Sequence, residues 1–226
     1  AIIATGNELV EPGGDLPPNK IVASNSFGLA AMLKQFGAEP KIFPVVPDNL
    51  EAIKEKINSA SNFDLILTIG GVSVGDYDLV LKTAKTLGLQ LAFHKVAMKP
   101  GKPLLAGKIN NKILIGLPGN PISSLLTCYT MVKPVIEKML GQNKTGKKLR
   151  LFARLGAILE KNGNREHFQR AILKCENDLL VVYPMSKHDS SLTSELNKAN
   201  CIINRLPNAP AKELGQTVEI IPFYSQ

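Results

Sequence analysis

The chain has 226 residues, 44% hydrophobic and 20% charged, which is enough for one large or two medium domains. No apolar run approaches the ~20 residues of a membrane-spanning helix, so a soluble protein is expected. The net charge is +8, yet 15 Lys and Arg face 11 Asp and Glu before Gly146, and 12 face 8 after it. There is thus no basic tail, and 5% aromatics with no Trp offer few stacking platforms, so a small anion is a better partner than nucleic acid.

The chain opens inside a strand-like run, Ala1–Ala4, which reads as the interior of a longer polypeptide. Asn25–Phe36 has helical spacing and stops at Gly37, a favourable residue just past a helix end. Lys41–Val46 is strand-like. Asp48 followed by Glu51 resembles a capping box opening a helix that runs to Ala60. Asp64–Ile69 is a continuous apolar strand, Asp78–Leu87 a helix ended by Gly88, and Leu91–Ala97 and Ile113–Leu117 are further strands. Pro121–Leu140 reads as a long helix with Asn120 as N-cap, Pro121 in its first turn and a kink at Pro134. Strands alternating with helices predict a mostly parallel sheet flanked by helices over residues 1–146, with ligands bound beyond the carboxyl ends of the strands.

After the polar stretch Gln142–Lys148 the pattern changes. Leu149–Leu155, His167–Leu173, Leu179–Tyr183, Cys201–Leu206 and Val218–Ile221 are short strands between polar turns, so residues 147–226 are expected to form a small all-β, barrel-like domain. Cys128, Cys175 and Cys201 are far apart, with no Cys-x-x-Cys. That argues against a disulfide framework or a zinc site, and with no secretory signal visible a reducing, cytoplasmic setting is expected.

Chemistry concentrates where strands end. Between Asp78 and Glu137 there is no Asp or Glu but there are eight Lys. Gly70-Gly71-Val72-Ser73-Val74-Gly75 follows a buried strand and would set N–H groups and a hydroxyl around an anion at a helix start; a plain strand-to-helix turn capped by Asp76 or Asp78 is the competing reading. Lys95, Lys99 and Lys102 lie in a segment stiffened by Pro100, Gly101 and Pro103. A solvated lysine loop is the ordinary explanation, but the prolines favour a preformed anion site. Leu117-Pro118-Gly119-Asn120-Pro121, with Ser123 in the following turn, serves capping and anion capture equally well. Glu8, Asp48, Asp76 and Asp78 are carboxylates at expected strand ends or helix starts; Asp48 reads first as a helix cap, Mg²⁺ beside a phosphorylated substrate is the functional alternative, and Glu8, with no evident capping duty, is the better candidate for it. His94, His167 and His188 share no ligand-like spacing, and no role is read for them.

Ala4-Thr5-Gly6-Asn7-Glu8-Leu9, Gly70 to Asp78, Met98-Lys99-Pro100-Gly101-Lys102-Pro103 and Gly116 to Pro121, in this order and with the downstream β segments, resemble the molybdopterin molybdenumtransferases, the MoeA family, similar also to the E domain of gephyrin. The resemblance implies insertion of molybdenum from molybdate into adenylylated molybdopterin, with Mg²⁺-dependent release of AMP. It implies catalytic roles for Glu8, Asp48, Asp78, Lys95 and Lys99, of which the three carboxylates are the metal set. It implies substrate binding by Thr5, Gly70, Gly71, Ser73, Gly75, Lys102, Pro118, Gly119, Asn120, Pro121 and Ser123, and molybdate contacts from Lys99, Pro100, Arg170 and Ser190. A homodimer, and a molybdopterin adenylyltransferase as partner, are implied as well. The family pattern has Asp where Asn7 and Ala23 stand, and Glu where Asp76 stands. The missing N-terminal domains of the family imply that these residues alone turn over poorly.

Two other readings compete. A molybdopterin adenylyltransferase would share the Gly-Gly loop but lack the β segment of residues 149–226. A gephyrin-like scaffold would bind peptides, and no peptide groove is signalled.

Overall fold

The apolar runs of the first half become the strands of one sheet. In the computed structural model, which describes residues 1–71, 78–142, 151–185 and 198–223, the first half carries β1 (Ile2–Ala4), β2 (Leu9–Val10), β3 (Ile21–Val22), α1 (Ser24–Gln35), α2 (Leu50–Ser59), β4 (Leu65–Ile69), α3 (Leu79–Thr86) and β5 (Gln90–His94). Then come β6 (Met98–Lys99), β7 (Leu105–Ile109), β8 (Lys112–Leu117), α4 (Pro121–Thr127) and α5 (Lys133–Met139). The second half holds β9 (Leu151–Leu155), β10 (Glu166–Glu176), β11 (Leu179–Pro184), β12 (Cys201–Arg205) and β13 (Thr217–Pro222). Two compact units result, Ala1–Val96 with Gly101–Asn143, and Ala97–Pro100 with Lys144–Gln226. The expected boundary at residues 146–147 lies outside the described residues.

In the first unit the five-stranded sheet runs β1-β4-β8-β7-β5. The β1–β4 and β4–β8 ladders are parallel, whereas β8–β7 and β7–β5 are antiparallel. The expected mostly parallel sheet is therefore corrected to a mixed one. The cause is a hairpin: Asn110 and Asn111 take positive φ of 47° and 64°, the two-residue turn that returns the chain antiparallel. Leu105–Ile109 alternates buried and more exposed positions and packs beside Leu114 in the core with Ile3, Ile53, Ile66 and Val80. Lys41–Val46 does not form a full strand and contributes only the isolated bridges Ile2–Ile42 and Thr5–Val46.

The long C-terminal helix of this unit is broken. α4 passes through a π-helical turn, Cys128–Val132, before α5 begins with Pro134 in its first turn. Proline has no N–H to donate and clashes with the preceding turn, and the wider turn, where the Lys133 N–H reaches Cys128 O, absorbs the misfit.

In the second unit β11-β9-β13-β12-β10 form a sheet that closes through the β10–β11 pairing into a five-stranded barrel, with β6 added beside β10. Its interior is filled by Ala153, Leu155, Ala171, Val182, Cys201 and Ile203 among others. No helix occurs here among the described residues. Arg205 is buried at 4% exposure and has no carboxylate partner among the described residues; its guanidinium donates to the carbonyls of Glu160, Ala209 and Pro210, which knits the barrel's end loops together. Burial lowers its pKa.

Candidate functional site

Three parallel strands end at one edge of the first unit, and their following loops interlock. The Thr5 N–H donates to Ile69 O at 2.9 Å, and the Gly70 N–H to Leu117 O at 3.1 Å. Gly70 has φ +83° and leaves no room for a side chain: a Cβ there would lie 2.6 Å from Thr5 O. Gly71, at φ +65°, would meet Val80 and Thr5 Oγ1. Only glycine allows this approach without strain. Gly119 lies against Gly70, and Asn25 at the start of α1 donates from its side chain to Gly119 O at 2.8 Å. Thr5, Gly70, Gly71, Pro118 and Gly119 are thus brought together, and the buried Thr5 Oγ1 has no hydrogen-bond partner among the described residues. Ser73 and Gly75 lie outside the described residues.

Helices begin beside this edge. Asn120 caps α4 by accepting from the Ser123 N–H and hydroxyl, both at 3.2 Å, with Pro121 in the first turn. Asp78 caps α3, with Oδ1 accepting from the Leu81 N–H at 2.9 Å. Asp48 is not a cap, contrary to the capping-box expectation. Asn49 caps α2 instead, accepting from the N–H groups of Glu51 and Ala52. Asp48 is exposed, and it exchanges two hydrogen bonds with Asn7. Glu8, also exposed, folds its carboxylate back over Gly6, and its carbonyl accepts from the Ile21 N–H at 2.8 Å.

The three carboxylates expected to hold a metal do not assemble as a set. Among the described residues no three His, Cys, Asp or Glu side chains gather into a metal-holding cluster. Asp78 is 3% exposed and its two oxygens face the α3 N-terminus and His94, which leaves none open to a hydrated cation. Glu8 and Asp48 are exposed carboxylates on loops joined by the Asn7–Asp48 hydrogen bonds, a donor chemistry compatible with Mg²⁺, an ion that completes its shell with water and phosphate.

Lys95 and Lys102 flank the loop that follows β5 and are both exposed. Lys95 has φ +66°, costly for a residue with a Cβ, and is held there by hydrogen bonds from its own N–H to Leu104 O and from Val96 N to Lys102 O. Lys99 belongs to the second unit, where β6 pairs with β10 and Lys99 lies opposite His167; the Lys99–Pro100 peptide is cis. Arg170 is three positions further along β10, so strand alternation directs the two side chains to opposite faces of the pair. Arg165 donates to Met98 O at 3.4 Å. Ser190 lies outside the described residues.

Sequence reasoning missed His94, whose Nε2 is 3.0 Å from Asp78 Oδ2. No spacing in the sequence signals that contact, because it joins a helix cap to the end of a strand. It also missed Asn49, although Asn is as good a cap as Asp.

A mixed sheet with a glycine-lined edge, carboxylates on one loop pair and lysines on another, followed by a small barrel, defines a protein of an α/β unit and a small β-barrel unit. The chain belongs to the family described as the probable molybdopterin binding domain, matched over residues 1–138, and its residues 153–223 match the MoeA C-terminal region (domain IV). It is 37% identical over 225 residues to the molybdopterin molybdenumtransferase of Haemophilus influenzae, covering 98% of this chain and 55% of that protein. Over 172 residues it is 42% identical to the protein of the same name from Nostoc sp., covering 74% of this chain and 39% of that protein. The crystal structure of the molybdopterin biosynthesis MoeA protein from Pyrococcus horikoshii superposes with a TM-score of 0.84 at 29% identity, over 100% of this chain and 54% of that one. The chain thus spans about half the length of the curated relatives it matches.

Proposed function

We propose that the chain works in molybdenum cofactor biosynthesis as a molybdopterin molybdenumtransferase. The reaction takes adenylylated molybdopterin and molybdate, hydrolyses the pyrophosphate bond, releases AMP and leaves molybdenum on the dithiolene sulfurs. The observation that carries the reading is the interlocked edge at Thr5, Gly70 and Gly119, within a chain whose relatives bear that enzyme's name.

In this reading the first unit binds the adenylylated pterin. Backbone N–H groups of the Gly70 and Gly119 loops and the N-terminus of α4 receive phosphate oxygens, with Thr5, Asn120 and Ser123 alongside. Lys95 and Lys102 meet the charge that develops as the pyrophosphate breaks. Glu8 and Asp48 would hold Mg²⁺, whose chemistry there is neutralisation of that charge. In the second unit Lys99, with Pro100 and Ser190, serves the molybdate dianion, while Arg170, three positions along β10 from the residue opposite Lys99 and so on the other face of the pair, does not share that anion. The reading carries a homodimer, a molybdopterin adenylyltransferase as supplier of the substrate, and a cytoplasmic setting. It also carries poor turnover by these 226 residues compared with a full-length relative.

The test is AMP release from adenylylated molybdopterin, with and without molybdate and Mg²⁺. Release that needs both supports the reading. Adenylylation of molybdopterin from ATP would instead identify an adenylyltransferase.

A further inference from the structure

Asp78 is 3% exposed, and only one of its oxygens is engaged as the α3 cap. The other, Oδ2, lies 3.0 Å from His94 Nε2, yet neither atom has an aligned hydrogen bond among the described residues. A buried carboxylate oxygen without a hydrogen bond is costly, because it has given up its hydration without a replacement. That cost persists only if the contact serves something else or tightens in a working complex, as catalytic hydrogen bonds often do when ligand arrives.

The positions of the two residues say what the contact joins. Asp78 caps α3, and the first turn of that helix supports the glycine loop: the Val80 N–H donates to Gly71 O at 3.3 Å, and Val80 fills the space beside Gly71. His94 ends β5, opposite Leu105, and is followed immediately by Lys95 at φ +66°. The contact therefore ties the glycine loop's helix to the strand end from which the lysine loop departs, all within the first unit. Elsewhere that loop is held by backbone hydrogen bonds, Lys95 N to Leu104 O and Val96 N to Lys102 O, which fix its shape and not its anchorage to α3.

We propose that His94 is a positioning residue: through its Nε2–H on Asp78 Oδ2 it sets where Lys95 stands relative to the Gly70–Gly71 loop when substrate is bound. This rests on the molybdenumtransferase reading for the identity of the reaction, and not for the contact itself. A displacement of about 1 Å in a charge-stabilising group costs up to roughly 100-fold in rate. The expected signature is therefore a loss in kcat with KM preserved, because Lys95 is still present but misplaced.

The experiment uses the full-length protein with adenylylated molybdopterin, molybdate and Mg²⁺. In His94→Phe, kcat should fall roughly 10- to 100-fold with KM within about threefold. His94→Gln, whose amide N–H reaches the position of Nε2, should recover to within about threefold of wild type, and His94→Asn, which is too short, should not. Adding His94→Phe to Asp78→Asn should cost nothing further, because the two act as one unit. If His94→Phe fails to fold, the Gln and Asn pair decides. Equal losses in Gln and Asn, independent additive losses with Asp78→Asn, or a change in KM alone would overturn the proposal. Wild type that turns over while every His94 variant matches it would overturn the proposal alone. Wild type that never releases AMP would overturn the enzymatic reading and the positioning role with it.

Discussion

Asn7 and Asp48 hold each other across 41 residues of chain: Asn7 Oδ1 accepts from the Asp48 N–H at 3.0 Å, and Asp48 Oδ2 accepts from the Asn7 N–H at 3.3 Å. Lys20 adds a hydrogen bond to the Asn7 carbonyl. The carboxylate of Asp48 is thereby oriented by the loop that carries Glu8, and the duty of capping α2 passes to Asn49.

That division separates two neighbouring substitutions. Asn49→Ala removes the acceptor for the Glu51 and Ala52 N–H groups and should lower unfolding stability by about 1 kcal/mol. Asp48→Ala removes only exposed hydrogen bonds and should change stability by less than about 0.5 kcal/mol, while weakening Mg²⁺-dependent AMP binding. Urea unfolding and calorimetric titration of each variant check both halves. The reverse ranking in stability would restore Asp48 as the cap.

Gly70 and Gly88 make a controlled pair. Both have positive φ, +83° and +79°, but an added Cβ at Gly88 meets nothing within 4 Å, whereas at Gly70 it lies 2.6 Å from Thr5 O. Gly88→Ala should cost about 1 kcal/mol from backbone strain alone. Gly70→Ala should cost about 1–3 kcal/mol more, and should abolish AMP binding under conditions where the protein remains folded. Equal costs would mean that the edge opens freely.

Lys95 offers the opposite trade. Its φ of +66° is a conformation glycine adopts without penalty. Lys95→Gly should therefore raise stability by about 0.5–1 kcal/mol while lowering turnover, the pattern of a strained functional position. A stability loss together with unchanged turnover would make Lys95 an ordinary loop lysine.

The thiols give a pH test of the cores. Burial pushes Cys128 and Cys201 up from 9.0 to about 12, so the folded state holds those protons more tightly than the unfolded chain. The stability this supplies is complete below pH 9 and is lost as pH rises towards 12. The thermal midpoint should fall across that window, less steeply in Cys128→Ala. Cys175 is exposed, so a thiol reagent at pH 8 should label one of the three cysteines in the native state and all three after unfolding. Rapid native labelling of a second thiol would contradict the burial.

The glycine-rich strand ends and the cap Asn120 were legible in the sequence, and Asp78 was one of two candidate caps for α3, because turn residues carry their backbone geometry in their identity. The barrel was legible in its short alternating strands. The mixed sheet was not. Leu105–Ile109 contains Gly107 and Lys108 and makes a weak strand signal, and Asn110–Asn111, the available hint of a hairpin, lies inside a run otherwise rich in Lys and Gly. The Lys41–Val46 segment looked like a strand because it is apolar, yet it forms only single bridges beside β1, with Pro44 interrupting it. The contacts that organise the site, Asn7 with Asp48 and Asp78 with His94, join residues far apart in the chain and have no local signature.

A single-turnover reaction with protein in excess over adenylylated molybdopterin counts AMP released and molybdenum retained on the pterin. A molybdenumtransferase should release one AMP per pterin, dependent on molybdate and Mg²⁺, with molybdenum retained in equal amount, and Lys99→Ala should lose that dependence on molybdate while AMP binding persists. AMP release that ignores molybdate, or no release at all from protein that is folded and binds AMP, would contradict the molybdenumtransferase reading.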